Sequence, residues 1–179
     1  MGNKGTKKDH IVSALVENHA GTLSRVSGLF SRRGFNIDSL TVGETNDAAI
    51  SRMTITVKGN DAIVEQIIKQ LSKLVDVIAV RELDMDDCVR REIMLVKVSA
   101  DEQSRLAIIQ IAGVFRANII DVAPETVTLE ATGGRGKLNS LLLLLRTHGI
   151  LEVARTGIVA LERGASMLDN DSRVGQERI

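Results

Sequence analysis

The residues best placed to do chemistry are Glu17-Asn18-His19-Ala20-Gly21-Thr22-Leu23, and the chemistry they suit is holding a carboxylate. The first N–H groups of a helix lack intrahelical partners and lie at the positive end of its dipole. Thr22 as the N-cap, Gly21 as a neighbour without a side chain and the Asn18 amide together make a seat for an anion. The same residues also suit an ordinary tight strand-to-helix turn, and local features alone leave both readings open.

Catalytic chemistry has no comparable basis. No Ser is accompanied by a His and Asp pattern, and three scattered histidines with one cysteine, Cys88, give no zinc spacing and no internal disulfide. Thr132-Gly133-Gly134-Arg135-Gly136-Lys137-Leu138 approaches a phosphate loop but has Ala131 where Gly is needed and Leu138 where Ser or Thr is needed, so it reads as a hairpin-to-helix turn. Arg32-Arg33 complements a helix C-terminus, and Asp84 to Asp87 is a hydrated linker without a calcium-loop frame. The chain is therefore expected to have no catalytic residues, no metal site and no cofactor of its own.

Composition narrows the partners. The 179 residues are 44% hydrophobic, enough for two small cores, and 23 Lys plus Arg balance 23 Asp plus Glu. With zero formal charge, no Trp or Tyr, and only Phe30, Phe35 and Phe115, neither nucleic acid nor an anionic membrane is an expected partner. No apolar run approaches the ~18 residues that span a bilayer. A reducing, cytoplasmic setting is expected. Met1 to Thr6 formally matches an N-myristoylation pattern but reads as a polar lead-in.

The elements that position the seat follow from periodicity. Ile11 to Val16 is a strand run, and Leu23, Val26, Leu29 and Phe30 mark a helix ending at Arg33 with Gly34 as its cap. Phe35 to Val42 and Ile50 to Val57 read as a hairpin about Asn46-Asp47 with one solvated face. Val64, Ile67, Ile68 and Leu71 mark a second helix capped near Asn60, and Val75 to Leu83 a fourth strand. This order is the split βαβ arrangement. It repeats: a strand from Glu92, a helix marked by Leu106, Ile109, Ala112 and Val114, a hairpin about Pro124-Glu125, a helix over Leu138 to Thr147 and a last strand over Leu151 to Leu161. Gly28-Leu29-Phe30 recurs as Gly113-Val114-Phe115, and Asn36-Ile37 as Asn118-Ile119, each roughly 80 residues on. The second copy has Ser99-Ala100-Asp101-Glu102 where the first has its seat.

The fold class predicted is α+β, two tandem ferredoxin-like βαββαβ domains, each an antiparallel sheet with two helices on one face. The boundaries predicted are 8–84, 85–163 and a polar tail over 164–179.

The residues also carry a family likeness. Leu15-Val16-Glu17-Asn18, Gly21, Leu23-Ser24-Arg25-Val26, Gly28 to Gly34 and Asn36 to Val42 resemble the regulatory (small) subunit of acetolactate synthase, also called acetohydroxyacid synthase. The resemblance continues through Ser51 to Thr54, Leu74 to Val77, Arg91 to Val98, Phe115-Arg116, Ile119 to Val122 and Glu152 to Gly157. It implies an N-terminal ACT domain, a homodimer, a large catalytic subunit as partner and feedback inhibition by valine in branched-chain amino acid biosynthesis. Leucine or isoleucine are further effectors it allows. Thiamine diphosphate, Mg2+ and FAD are implied for the large subunit. The effector positions implied are Asn18, Gly21 and Thr22 from the loop, with Asn36 and Ile37 from the second strand, at an interface of paired ACT domains. The competing expectation is a stand-alone ACT-type amino-acid-binding module acting on another partner.

Overall fold

The computed structural model describes residues 8–169. The lead-in and the tail beyond residue 169 lie outside the described residues. Two compact units are present, one formed by residues 8–89 with residues 158–169 and the other by Arg90–Gly157.

The first unit runs β1 (Lys8–Glu17), α1 (Thr22–Arg33), β2 (Ser39–Glu44), β3 (Ile50–Gly59), α2 (Asp61–Leu71) and β4 (Val77–Leu83). Its antiparallel sheet has the order β2-β3-β1-β4, so β1 is flanked on both sides and β2 forms an edge. Side chains alternate across a strand, which sends Val12, Ala14 and Val16 of β1 and Met53, Ile55 and Val57 of β3 into one core with Val26, Leu29 and Phe30 of α1 and Val64, Ile67 and Leu71 of α2. Both helices end and begin as their residues dictate. Gly34 takes the left-handed conformation that closes α1, and the Asn60 side chain accepts from the Ile63 N–H at the start of α2.

Departures from the sequence reading include β2, the second face of this sheet and the last strand. β2 starts at Ser39 rather than Phe35, because Phe35 turns back onto Phe30 at a ring separation of 6.2 Å and Ile37 packs on the same core. Those two apolar residues close the core's end instead of alternating along a strand. Secondly, the sheet face expected to be solvated is closed: Ser13, Thr54 and Thr56 are buried on it. Part of the cover comes from far along the chain, where Ala160 packs with Ile11, Leu83 and Cys88, Leu168 packs with Leu15 and Ala79, and Arg81 pairs with Glu162 at 2.9 Å. Thirdly, the last strand is two strands, β8 (Ile150–Arg155) and β9 (Val159–Glu162). Leu168→Ala is expected to destabilise the first unit by about 2 kcal/mol, the low end for a buried leucine at the rim of a core, as read by urea denaturation.

The second unit runs β5 (Cys88–Ser99, which the unit boundary crosses), α3 (Glu102–Phe115), β6 (Asn118–Val122), β7 (Thr126–Gly133), α4 (Arg135–Leu145), a 3₁₀ turn (Arg146–His148) and β8, in the sheet order β6-β7-β5-β8. The helix α3 lies where its period placed it but turns a different face inward. Ile108 and Ala112 are buried with Ile111 and Phe115 against them, whereas Leu106 is 64% exposed and Val114 79%. Apolar residues occur on most sides of this helix, so periodicity could locate it without orienting it. Lys137 Nζ donates to the Thr132 carbonyl at 2.7 Å, which closes the glycine-rich segment as the turn from β7 into α4.

Candidate effector site

At the end of β1 the chain passes through Asn18, His19, Ala20 and Gly21 into α1. Gly21 is the N-cap, with φ of 93° in the left-handed region that favours glycine, and Thr22 is the first helical residue. Thr22 was the expected cap; it lies one residue inside, buried, with Oγ1 3.3 Å from His19 Nδ1. No side chain therefore caps α1, and its first turn has no acid. The contrast with α3 is chemical: the Asp101 carboxylate accepts from the Ser104 N–H at 2.7 Å, so that helix start already holds an anion of its own. At the start of α4, which also lacks a capping side chain, the buried Glu92 lies 3.6 Å from Arg135.

Asn18 is fixed by its neighbours. Its backbone N–H donates to the Ala49 carbonyl at 2.7 Å, and its Nδ2 donates to the Ala48 carbonyl at 2.8 Å and to Glu44 Oε1 at 3.2 Å. The loop is thereby tied to the end of β2 and the β2–β3 turn, and the amide oxygen is the Asn18 atom left to accept from a ligand ammonium.

A charged cluster underlies the loop. Arg25 holds Asp76 bidentately, Nε to Oδ2 at 2.5 Å and Nη2 to Oδ1 at 2.8 Å, and Asp76 is itself buried. His19 Nε2 lies 3.1 Å from Glu17 Oε2 and 3.1 Å from Asp76 Oδ1. A Cβ on Gly21 would stand 3.4 Å from Arg25 Nη1, so the guanidinium runs alongside the loop. Glu17, His19 and Asp76 converge within 4.8 Å, but Arg25 already supplies the cation that Asp76 faces. The Arg25 hydrogen bond is the largest cause that holds the Asp76 carboxyl below the usual carboxylate range. A lowered folded-state pKa contributes stability above the unfolded value near ~3.9 and loses it as pH falls through the folded value. Asp76→Asn is thus expected to be less stable than the parent at pH 5 to 6, with the difference vanishing in stronger acid, as read by urea denaturation at each pH.

Asn36 and Ile37 lie in the loop after α1, not in β2. Asn36 is exposed and donates from Nδ2 to Asp38 Oδ1 at 3.0 Å, while Ile37 is half-buried. The 12 residues of α1 separate this pair from Gly21, about 18 Å of helix at 1.5 Å per residue. The fold thus brings Asn18, Gly21 and Thr22 together, and Asn36 and Ile37 together, at opposite ends of one helix. Arg25, Asp76, Glu17 and His19 were missed as a group because their members lie up to 59 residues apart in sequence, Glu17 to Asp76; singly, Glu17 and His19 stood in the seat stretch, and Glu17, Arg25 and Asp76 in family-like segments.

Known proteins align with both units. Residues 12–79 match the small subunit-like ACT domain of acetohydroxyacid synthase, and residues 91–164 match the family model described as small subunit of acetolactate synthase. The acetolactate synthase small subunit of Mycobacterium bovis is 54% identical over 157 residues, covering 88% of this chain and 94% of its own. The chain belongs to the acetolactate synthase small subunit family. The Aquifex aeolicus small subunit is 41% identical over 170 residues, covering 94% of this chain and 88% of its own. The crystal structure of the acetolactate synthase small subunit from Thermotoga maritima superposes with a TM-score of 0.84 at 44% identity, covering 89% of this chain and 99% of that one. Small subunit membership gives the chain a regulatory role and an ACT domain first. Among the described residues no helix is long and apolar enough to cross a membrane.

Proposed function

We propose that this small subunit binds the large catalytic subunit of acetolactate synthase in the cytoplasm, raises its activity, and makes it sensitive to valine bound between two ACT domains. Thiamine diphosphate, Mg2+ and FAD belong to the large subunit in this reading. The observation that carries it is the contact of Asn18 with Glu44 at the end of the edge strand β2. An edge strand presents unpaired backbone groups, and two copies pairing β2 antiparallel about a two-fold axis set the start of one β2 beside the end of the other. The partner's Asn36 and the partner's Ile37, which directly precede the partner strand, then approach Glu44 and with it Asn18 and Gly21. Two half-sites that one chain holds about 18 Å apart become one site.

Each end of an amino acid finds its chemistry there. The uncapped amides of α1 take the carboxylate, the Asn18 or Asn36 amide oxygen accepts from the ammonium, and Ile37 contributes to an apolar wall for the side chain. One methylene in such a pocket changes affinity by only ~1–3 kcal/mol, so leucine and isoleucine bind with graded strength beside valine. The test is reconstitution with a large subunit: activity should rise on adding this chain and fall again on adding valine. Valine binding without any effect on the large subunit would instead mark a stand-alone amino-acid-binding module.

A further inference from the structure

We propose that His19 is a positioning residue of the effector seat that works as an imidazolium, standing between Glu17 and Asp76 so that the cluster of Glu17, Asp76, Arg25 and His19 carries no net charge, and that amino-acid binding is linked to the proton on this ring. The inference rests on the effector reading above. Its basis is the hydrogen-bond geometry of both ring nitrogens. Nδ1 lies 3.1 Å from the Ala20 carbonyl oxygen, which can only accept, so Nδ1 donates. Nε2 hydrogen-bonds Glu17 Oε2 at 3.1 Å, an acceptor when ionised, so Nε2 donates as well, and the resulting positive ring lies 3.1 Å from Asp76 Oδ1 as an ion pair. Only the doubly protonated ring satisfies both sides. Thr22 Oγ1, 3.3 Å from Nδ1, takes a share of the same proton as an acceptor, which couples the ring to the first residue of α1.

The charges facing this ring are Glu17 at the end of β1, Asp76 just before β4 and Arg25 in α1. Two carboxylates, one guanidinium and one imidazolium sum to zero, whereas loss of the His19 proton leaves one net negative charge against the helix start that has to receive a carboxylate. The next carboxylate outward in the chain is Glu44, held by Asn18, and the proposed pairing would add the partner's Asp38. The His19 pKa is raised above its ordinary value, first by the Ala20 carbonyl and then by Glu17 and Asp76, against partial burial and Arg25. A raised folded-state pKa means the clamp is fully present below the unfolded value near ~6.5 and is lost as pH rises through the folded value. One uncompensated charge beside a largely hydrated site changes affinity about three- to tenfold.

The experiment uses the full chain and valine. The His19 imidazole is titrated by NMR, with His19→Gln assigning its signal, and valine affinity is measured by calorimetry from pH 6 to 9 on the parent, His19→Gln and His19→Lys. The inference expects a His19 midpoint above ~6.5, valine affinity that falls about three- to tenfold across that midpoint, a flat and weak profile for His19→Gln, and a flat profile for His19→Lys at the parent's low-pH affinity. A ring that is neutral at pH 6.5, or valine affinity that ignores the His19 titration, overturns the linkage while leaving the effector site standing. Absence of valine binding at every pH overturns the effector reading and the linkage with it.

Discussion

Gly21→Asp should weaken valine binding at least about 100-fold and remove valine inhibition of the reconstituted enzyme, while the first unit stays folded and still activates the large subunit. Two features of the position combine. The backbone there has φ of 93°, which costs most side chains ~1–2 kcal/mol, with Asp and Asn among the best tolerated. The new Cβ would meet Arg25 Nη1 at 3.4 Å, an ordinary contact, so nothing is forced apart. The introduced carboxylate then lies against Arg25 and the uncapped amides of α1, where the ligand's carboxylate belongs, and competes for the same donors. Gly21→Asn has nearly the same shape without the charge and should keep more of the affinity. Equal losses in the two variants would mean that backbone strain, not electrostatic competition, controls this position.

The second large effect is on assembly. If valine sits between two copies, it binds the dimer and scarcely binds the monomer, so valine and dimerisation must reinforce each other. At a valine concentration 100 times its Kd, each filled site adds up to ~2.7 kcal/mol to dimer stability, about a hundredfold shift in the dimer's dissociation constant per site. Sedimentation of diluted protein with and without valine reads this directly. Asn36→Ala should lose affinity and the valine-induced tightening together, since Asn36 is the half of the site that the other chain supplies. A variant that still binds valine fully but no longer tightens would separate two properties that the shared site makes inseparable.

What the sequence disclosed tracks how local the physics is. The α1 helix, its Gly34 cap, the Asn60 cap of α2 and the alternation of Met53, Ile55 and Val57 depend on neighbours within a few residues, and each is where its pattern placed it. The start of β2 was misplaced because Phe35 and Ile37 have strand spacing yet serve the end of the helix core. The closed second face of the first sheet was invisible because Ala160 and Leu168 come about 150 residues after the Ile11 and Leu15 they cover, and nothing in a polar stretch distinguishes one anchoring leucine.

The seat shows the same division. A strand-to-helix junction with Gly21 and Thr22 was legible, but which of the two caps the helix depends on a single backbone torsion. The Arg25–Asp76 pair and the His19 bridge join segments that meet only in the folded sheet. Family likeness supplied the proposed pairing of Asn18 and Gly21 with Asn36 across two chains; the length of α1, about 18 Å, is the physical argument for a site shared between chains.

That claim has one direct test, complementation between two defective variants. Gly21→Asp and Asn36→Ala are prepared separately, each expected to bind valine too weakly to detect, then unfolded and refolded together in equal amounts. Random pairing makes half of the dimers mixed, and each mixed dimer has one site with both defects and one with none, so about a quarter of the parent's valine sites should return with the parent's affinity. No recovery, with mixed dimers verified by mass, would show that Gly21 and Asn36 act within the same chain and would contradict the shared site.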